Sequence, residues 1–107
     1  AFNVIYAEND DMAKGAVAAL DKANISHGVG KDVIVMGFDC NKWALEELLN
    51  QNWNYDGQCN PYQASYIEDV IKKLEAGETL DEKTIIMDEK GFDATTITQD
   101  DVDQFGI

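Results

Sequence analysis

In this 107-residue sequence, side chains suited to recognition stand at the ends of apolar runs. Val4-Ile-Tyr-Ala leads into Glu8, Asn9, Asp10 and Asp11, and Val33-Ile-Val-Met-Gly-Phe leads into Asp39. An amide can donate and accept at once, and a carboxylate can accept from two donors, so the pair suits hydrogen bonding to hydroxyl groups. Asn9 or Asp10 can also cap the following helix by accepting from N–H groups two or three residues on. Taken alone, a cap is the simpler explanation. Its recurrence at the ends of two successive β-α units favours ligand contact, because open α/β sheets bind ligands at the carboxyl ends of their strands.

Other chemistry finds little support. No serine sits in a glycine-flanked elbow, and His27, in a glycine-rich loop, is expected to face solvent, far in sequence from either cysteine. The Asp pairs are the background of an acidic chain rather than a glycosidase signature. Asp100, Asp101 and Asp103 lack the glycine and closing Glu of a calcium loop, and no phosphate-binding glycine motif is present. Cys40 and Cys59, with one histidine, are too few and too widely spaced for zinc. They are two thiols or, in an oxidising compartment, a disulfide. No catalysis, cofactor or metal is expected. Asn24-Ile-Ser26 fits a glycosylation sequon, a pattern permissive enough to be accidental.

Charge narrows the partners. With 21 acidic against 8 basic residues and a formal net charge of −13, the surface repels nucleic acid and anionic lipid. Every base is lysine, so no guanidinium clamp for phosphate or carboxylate is available. A neutral polar ligand, a cation or a protein remains. The first residues lack a signal peptide's basic then apolar order, so an export signal, if there is one, lies outside this sequence.

The elements that must position Asn9 and Asp39 follow from the patterning. The first run is a strand, followed by a helix with apolar residues at Met12, Ala16, Val17, Ala19 and Leu20. Asp32 to Asp39 is nearly continuously apolar, as in a parallel strand covered on both faces. Asn41 to Asn52 is helical, with Trp43, Leu45, Leu48 and Leu49 as core, although the Trp43 indole could stack on a ring ligand. Trp53 to Gln58 alternates like a short strand. Asn60-Pro-Tyr opens another helix with Pro61 in its first turn, a stripe of Tyr62, Tyr66, Ile67, Val70, Ile71 and Leu74, and Gly77 at its end. Lys83 to Asp88 is expected as a last strand, and Thr98 to Gln104 as a capped helical turn. At this length the chain is one domain at most.

Tyr6 to Ala16, Val33 to Asp39 and Cys59-Asn-Pro61, in that order, resemble the C-terminal part of the periplasmic sugar-binding proteins of ABC transporters, the ribose- and galactose-binding type. Cys59-Asn-Pro and Asp88 to Ala94 resemble most the subgroup with galactofuranose-binding proteins. The resemblance implies an α/β fold, a parallel-sheet, three-layer lobe of the type 1 periplasmic binding proteins, here incomplete. It implies noncatalytic capture of a monosaccharide, a pentose or hexose and possibly a furanose form, for an ABC permease. It implies an extracytoplasmic setting, periplasmic or lipid-anchored. Asn9 and Asp39 match the family's hydroxyl-binding Asn and Asp. A third family position falls on Cys59, a weak hydrogen-bonding thiol for which Asn60 is the nearer substitute. On this basis residues 1–59 belong to the C-terminal lobe, 60–80 form a helix that packs on a missing N-terminal lobe, and 81–107 form the final crossing strand and tail. The chain is then a fragment, and the helix from Asn60 to Gly77 drives self-association. An alternative with the same fold is the ligand-sensing part of a LacI-type repressor.

Overall fold

A computed structural model describes residues 2–107, in the order β1 (Val4–Tyr6), α1 (Asp10–Lys22), β2 (Ile34–Asp39), α2 (Lys42–Leu49), β3 (Tyr55–Gln58), α3 (Ala64–Glu75), β4 (Gly91–Asp93) and α4 (Gln99–Phe105). They form two compact units: residues 2–59 with 90–107, and residues 60–89. The stretch 81–107 therefore divides between the two at Glu89 and Lys90.

In the first unit one four-stranded sheet runs β1-β2-β3-β4. The first three strands are parallel and β4 is antiparallel. Alternation along the strands sends Val35, Gly37, Asp56 and Phe92 to one buried face, against α1, α2 and α4. Trp53, Leu45, Leu48, Ala13 and Val102 complete that core. Val4, Tyr6 and Ile34 take the opposite face and are exposed there. Of the incomplete three-layer lobe expected, the described residues of this unit supply the sheet and one helical layer. Among the described residues no helix is long and apolar enough to cross a membrane.

Local sequence sets the helix limits. Asn9 caps α1 by accepting from the Met12 N–H at 2.8 Å, and Asp10 and Asp11 lie in the first turn, where acidic groups offset the helix dipole. The inward face of α1 is Asp10, Ala13, Val17 and Leu20, at helical spacing. α1 ends with Asn24 at φ 56°, while the N–H groups of Asn24 and Ile25 return to Asp21 and Leu20. The same paired closure ends α2 at Gln51 and α3 at Gly77. α4 opens on a capping box between Thr98 and Asp101.

Three expectations need correction. Pro61 lies ahead of α3, which starts at Ala64 with Gln63 before it. Lys83 to Asp88 forms no strand: strand propensity needs a neighbouring backbone to pair with, and none is bonded to this stretch, where Ile86 is 88% exposed. The fourth strand is Gly91–Asp93 instead, paired with β3. His27 is not a solvent-facing loop residue: its Nδ1 lies 2.8 Å from the Asn52 carbonyl and its Nε2 3.1 Å from Asp21, tying the segments after α1 and α2 together. In the second unit no side chain of α3 is buried.

Candidate functional site

Because β1, β2 and β3 are parallel, the chain leaves all three at one edge of the sheet. Tyr6 pairs with Met36, and the next contact, from Ala7 N–H to the Met36 carbonyl, carries β1 toward Asn9. Asp39 pairs in register with Gln58, the residue before Cys59. Asn9, Asp39 and Cys59 therefore belong to the same carboxyl edge. Asn9 and Asp39 are half-buried and Cys59 is exposed. Beside them the rings of Tyr6 and Phe38 meet at 5.3 Å, and Phe38 lies over Gly57, where any Cβ would stand 2.5 Å from the ring.

The two polar groups offer complementary chemistry. Asn9 gives its Oδ1 to the helix cap, which leaves its amide N–H groups for a ligand. Cap and recognition are thus compatible in one side chain. Among the described residues the Asp39 carboxylate has no hydrogen-bond partner, so both oxygens remain acceptors. Asp39 has φ 119° and Cys40 φ 60°, a left-handed pair that side chains rarely adopt.

Of the remaining predicted residues, Asn60 and Trp43 are otherwise engaged. Asn60 opens the second unit, where its Oδ1 accepts from Tyr62 N–H and its own N–H donates to Glu89. Cys59 and Cys40 are both free thiols. Trp43 packs edge-on against Trp53 at 5.8 Å, with the Lys14 ammonium 4.5 Å from its ring, so it serves the helical layer.

The sequence reading weighed Asp10 only as a helix cap and passed over Asp56. Asp10 and Asp56 are fully buried, and Asp10 Oδ1 and Asp56 Oδ2 have no hydrogen-bond partner among the described residues. Asp10 Oδ2 accepts from Asn41 N–H at 2.8 Å and from the Asn41 amide at 3.1 Å. Asp56 Oδ1 accepts from Cys40 N–H at 3.3 Å and faces its thiol at 3.8 Å. Burial first, then the neighbouring Asp10 carboxyl, push Asp56 up to about 8. Burial also raises Asp10, opposed by the adjacent Asp56 and by the bonds it accepts from Asn41. Burial and the facing carboxylates keep the Cys40 thiol protonated. An acid at a core position of an alternating strand was the available signal for Asp56. Asp10 was concealed by its neighbour Asn9, which could claim the same cap.

No family model matches the chain. The fructose import binding protein FruE of Bifidobacterium longum is 34% identical over 92 residues, covering 86% of this chain and 27% of that protein. A Mycobacterium smegmatis protein crystallised in complex with β-D-fucofuranose is 29% identical with a TM-score of 0.73, over 89% of this chain and 30% of that one. The chain is similar to a part of the periplasmic sugar-binding proteins. A galactofuranose binding protein shares the fold at a TM-score of 0.81 and 22% identity, over 97% of this chain and 34% of its own. The chain spans roughly a quarter of the length of FruE and about a third of each of these structures.

Proposed function

We propose that this chain is the part of an extracytoplasmic sugar receptor that presents Asn9 and Asp39 to the hydroxyl groups of a neutral monosaccharide, without catalysis, for delivery to an ABC permease. One observation carries the proposal: at the carboxyl edge of the parallel sheet, Asp39 holds a carboxylate with no partner among the described residues, on the strand beside the one that leads to Asn9. The carboxylate accepts from two hydroxyls and the Asn9 amide donates to a ring or hydroxyl oxygen. The absence of arginine and the charge of −13 disfavour phosphorylated or acidic sugars. The furanose ligand of the Mycobacterium smegmatis protein supports a pentose or hexose in furanose form. An import-binding relative favours the receptor over a LacI-type repressor. Cys59 and Asn60 are assigned a lesser share: one is a thiol, and the other spends its carbonyl on Tyr62.

Calorimetry of the full-length protein with neutral pentoses and hexoses tests this. A hydrogen bond to a charged group contributes about 1.5–3 kcal/mol, so Asp39→Ala should weaken binding roughly 10- to 150-fold per hydroxyl contact. Unchanged affinity would remove Asp39 from the site. The bare helix α3 supports a further proposal, that the chain by itself self-associates through Asn60 to Gly77, since Tyr62, Ile67 and Leu74 are each more than half exposed.

A further inference from the structure

The turn from Asp39 to Asn41 holds two consecutive left-handed residues, neither of them glycine. Such a conformation persists only where surrounding groups over-determine it. Here two successive amides are each fixed by a buried carboxyl group: Cys40 N–H by Asp56 from β3, and Asn41 N–H by Asp10 from α1. The turn is backed further by Ile107, whose N–H donates to the Cys40 carbonyl. Asp10 Oδ1 and Asp56 Oδ2 are buried without a hydrogen-bond partner among the described residues, and two neighbouring carboxyl groups can satisfy one another only when one carries a proton. Close packing seals the pair: Asp10 Oδ1 and the Trp53 ring occupy the space a Cβ on Gly37 would need.

We propose that Asp10 and Asp56, sharing one proton, are positioning residues that hold the Asp39 carboxylate in its binding orientation and make sugar affinity fall at alkaline pH. Asp56 is the proton donor and Asp10 the acceptor. The titratable groups facing the pair are Asp39 and Cys40 of the turn, and Asn41 supplies the neutral donors. Loss of the shared proton sets two buried negative charges against each other and against Asp39, which pulls the acceptors away from the Cys40 and Asn41 amides. The ligand half of this inference rests on Asp39 binding sugar. The turn half does not.

The test uses the full-length protein. Sugar affinity measured by calorimetry should fall at least about tenfold from pH 6.5 to 9.5, as expected for a buried carboxyl that must ionise in that interval. Carbon-detected NMR should show one aspartate titrating near neutral to mildly alkaline pH, with the Cys40 and Asn41 amides shifting in step. In Asp56→Asn the amide N–H donates to Asp10 and the carbonyl accepts from Cys40, with no proton to lose, so affinity should stay within about twofold across the interval. Asp10→Asn removes the neighbouring charge and should lower the Asp56 titration. An aspartate spectrum with no titration above pH 6 overturns the proposal, as does Asp56→Asn that keeps the alkaline loss. If no sugar binds at any pH the receptor reading fails, while the aspartate titration and the two amide shifts still decide whether the pair holds the turn.

Discussion

Replacing Gly37 with alanine should be among the most damaging single-methyl additions in the molecule. The new Cβ would stand 2.5 Å from Asp10 Oδ1 and 2.9 Å from Trp53 Cζ3. The shorter gap falls roughly 1 Å inside ordinary contact, and overpacking of this kind costs about 1–3 kcal/mol. Neither neighbour can swing into solvent, because Asp10 and Trp53 are both buried. Asp10 can retreat only by lengthening its two bonds to Asn41, and bonds to a charged group contribute about 1.5–3 kcal/mol each. A loss of about 3 kcal/mol or more follows, read as a lower urea midpoint by the fluorescence of Trp43 and Trp53. Gly15→Ala is the control: nothing lies within 4 Å of its Cβ position, and it sits inside α1, so it should stabilise by up to about 1 kcal/mol. A Gly37→Ala protein within about 0.5 kcal/mol of the parent would refute the packing of Asp10 over β2.

Other outcomes follow from the same geometry. Gln51→Gly should stabilise by up to about 1 kcal/mol, since Gln51 has φ 63° at an exposed helix end; a lower urea midpoint would count against the paired closure. Stability should fall as pH rises from about 4 to 8: the unfolded Asp56 carboxyl releases its proton near the model-peptide value of 3.8, whereas the folded one keeps it to about 8. Urea midpoints at pH 5 and pH 8.5 measure that slope, and Asp56→Asn should flatten it; an equal slope in the variant would exclude Asp56 as its source. Sedimentation of the 107-residue chain should show species larger than a monomer, reduced by Ile67→Asp on α3; a monomer at high micromolar concentration would exclude that association.

The parallel core was legible because its signals were local and redundant. β1, α1, β2 and α2 each combine an apolar period with a cap or a closing residue, and Asn9 performs the capping its type suggested. Lys83 to Asp88 shows where that logic stops: a stretch with strand composition stays irregular without a backbone to pair with, whereas Gly91 to Asp93, with weaker propensity, becomes a strand because β3 offers it a partner. Asp39 was visible as an acid closing an apolar run. The acids that fix its turn were not, because the fate of Asp10 and Asp56 depends on Gly37 and Asn41 being brought alongside by tertiary packing. His27 was misplaced for the same reason: its partners, Asp21 and Asn52, come from different helix ends.

A crystal structure of the full-length protein with bound monosaccharide tests the central claim most directly. The account predicts Asp39 within hydrogen-bonding distance of two sugar hydroxyls, the Asn9 amide donating to the same ring while its carbonyl still caps α1, and the Cys40 and Asn41 amides still held by Asp56 and Asp10. A sugar bound without contact to either Asn9 or Asp39 would contradict it.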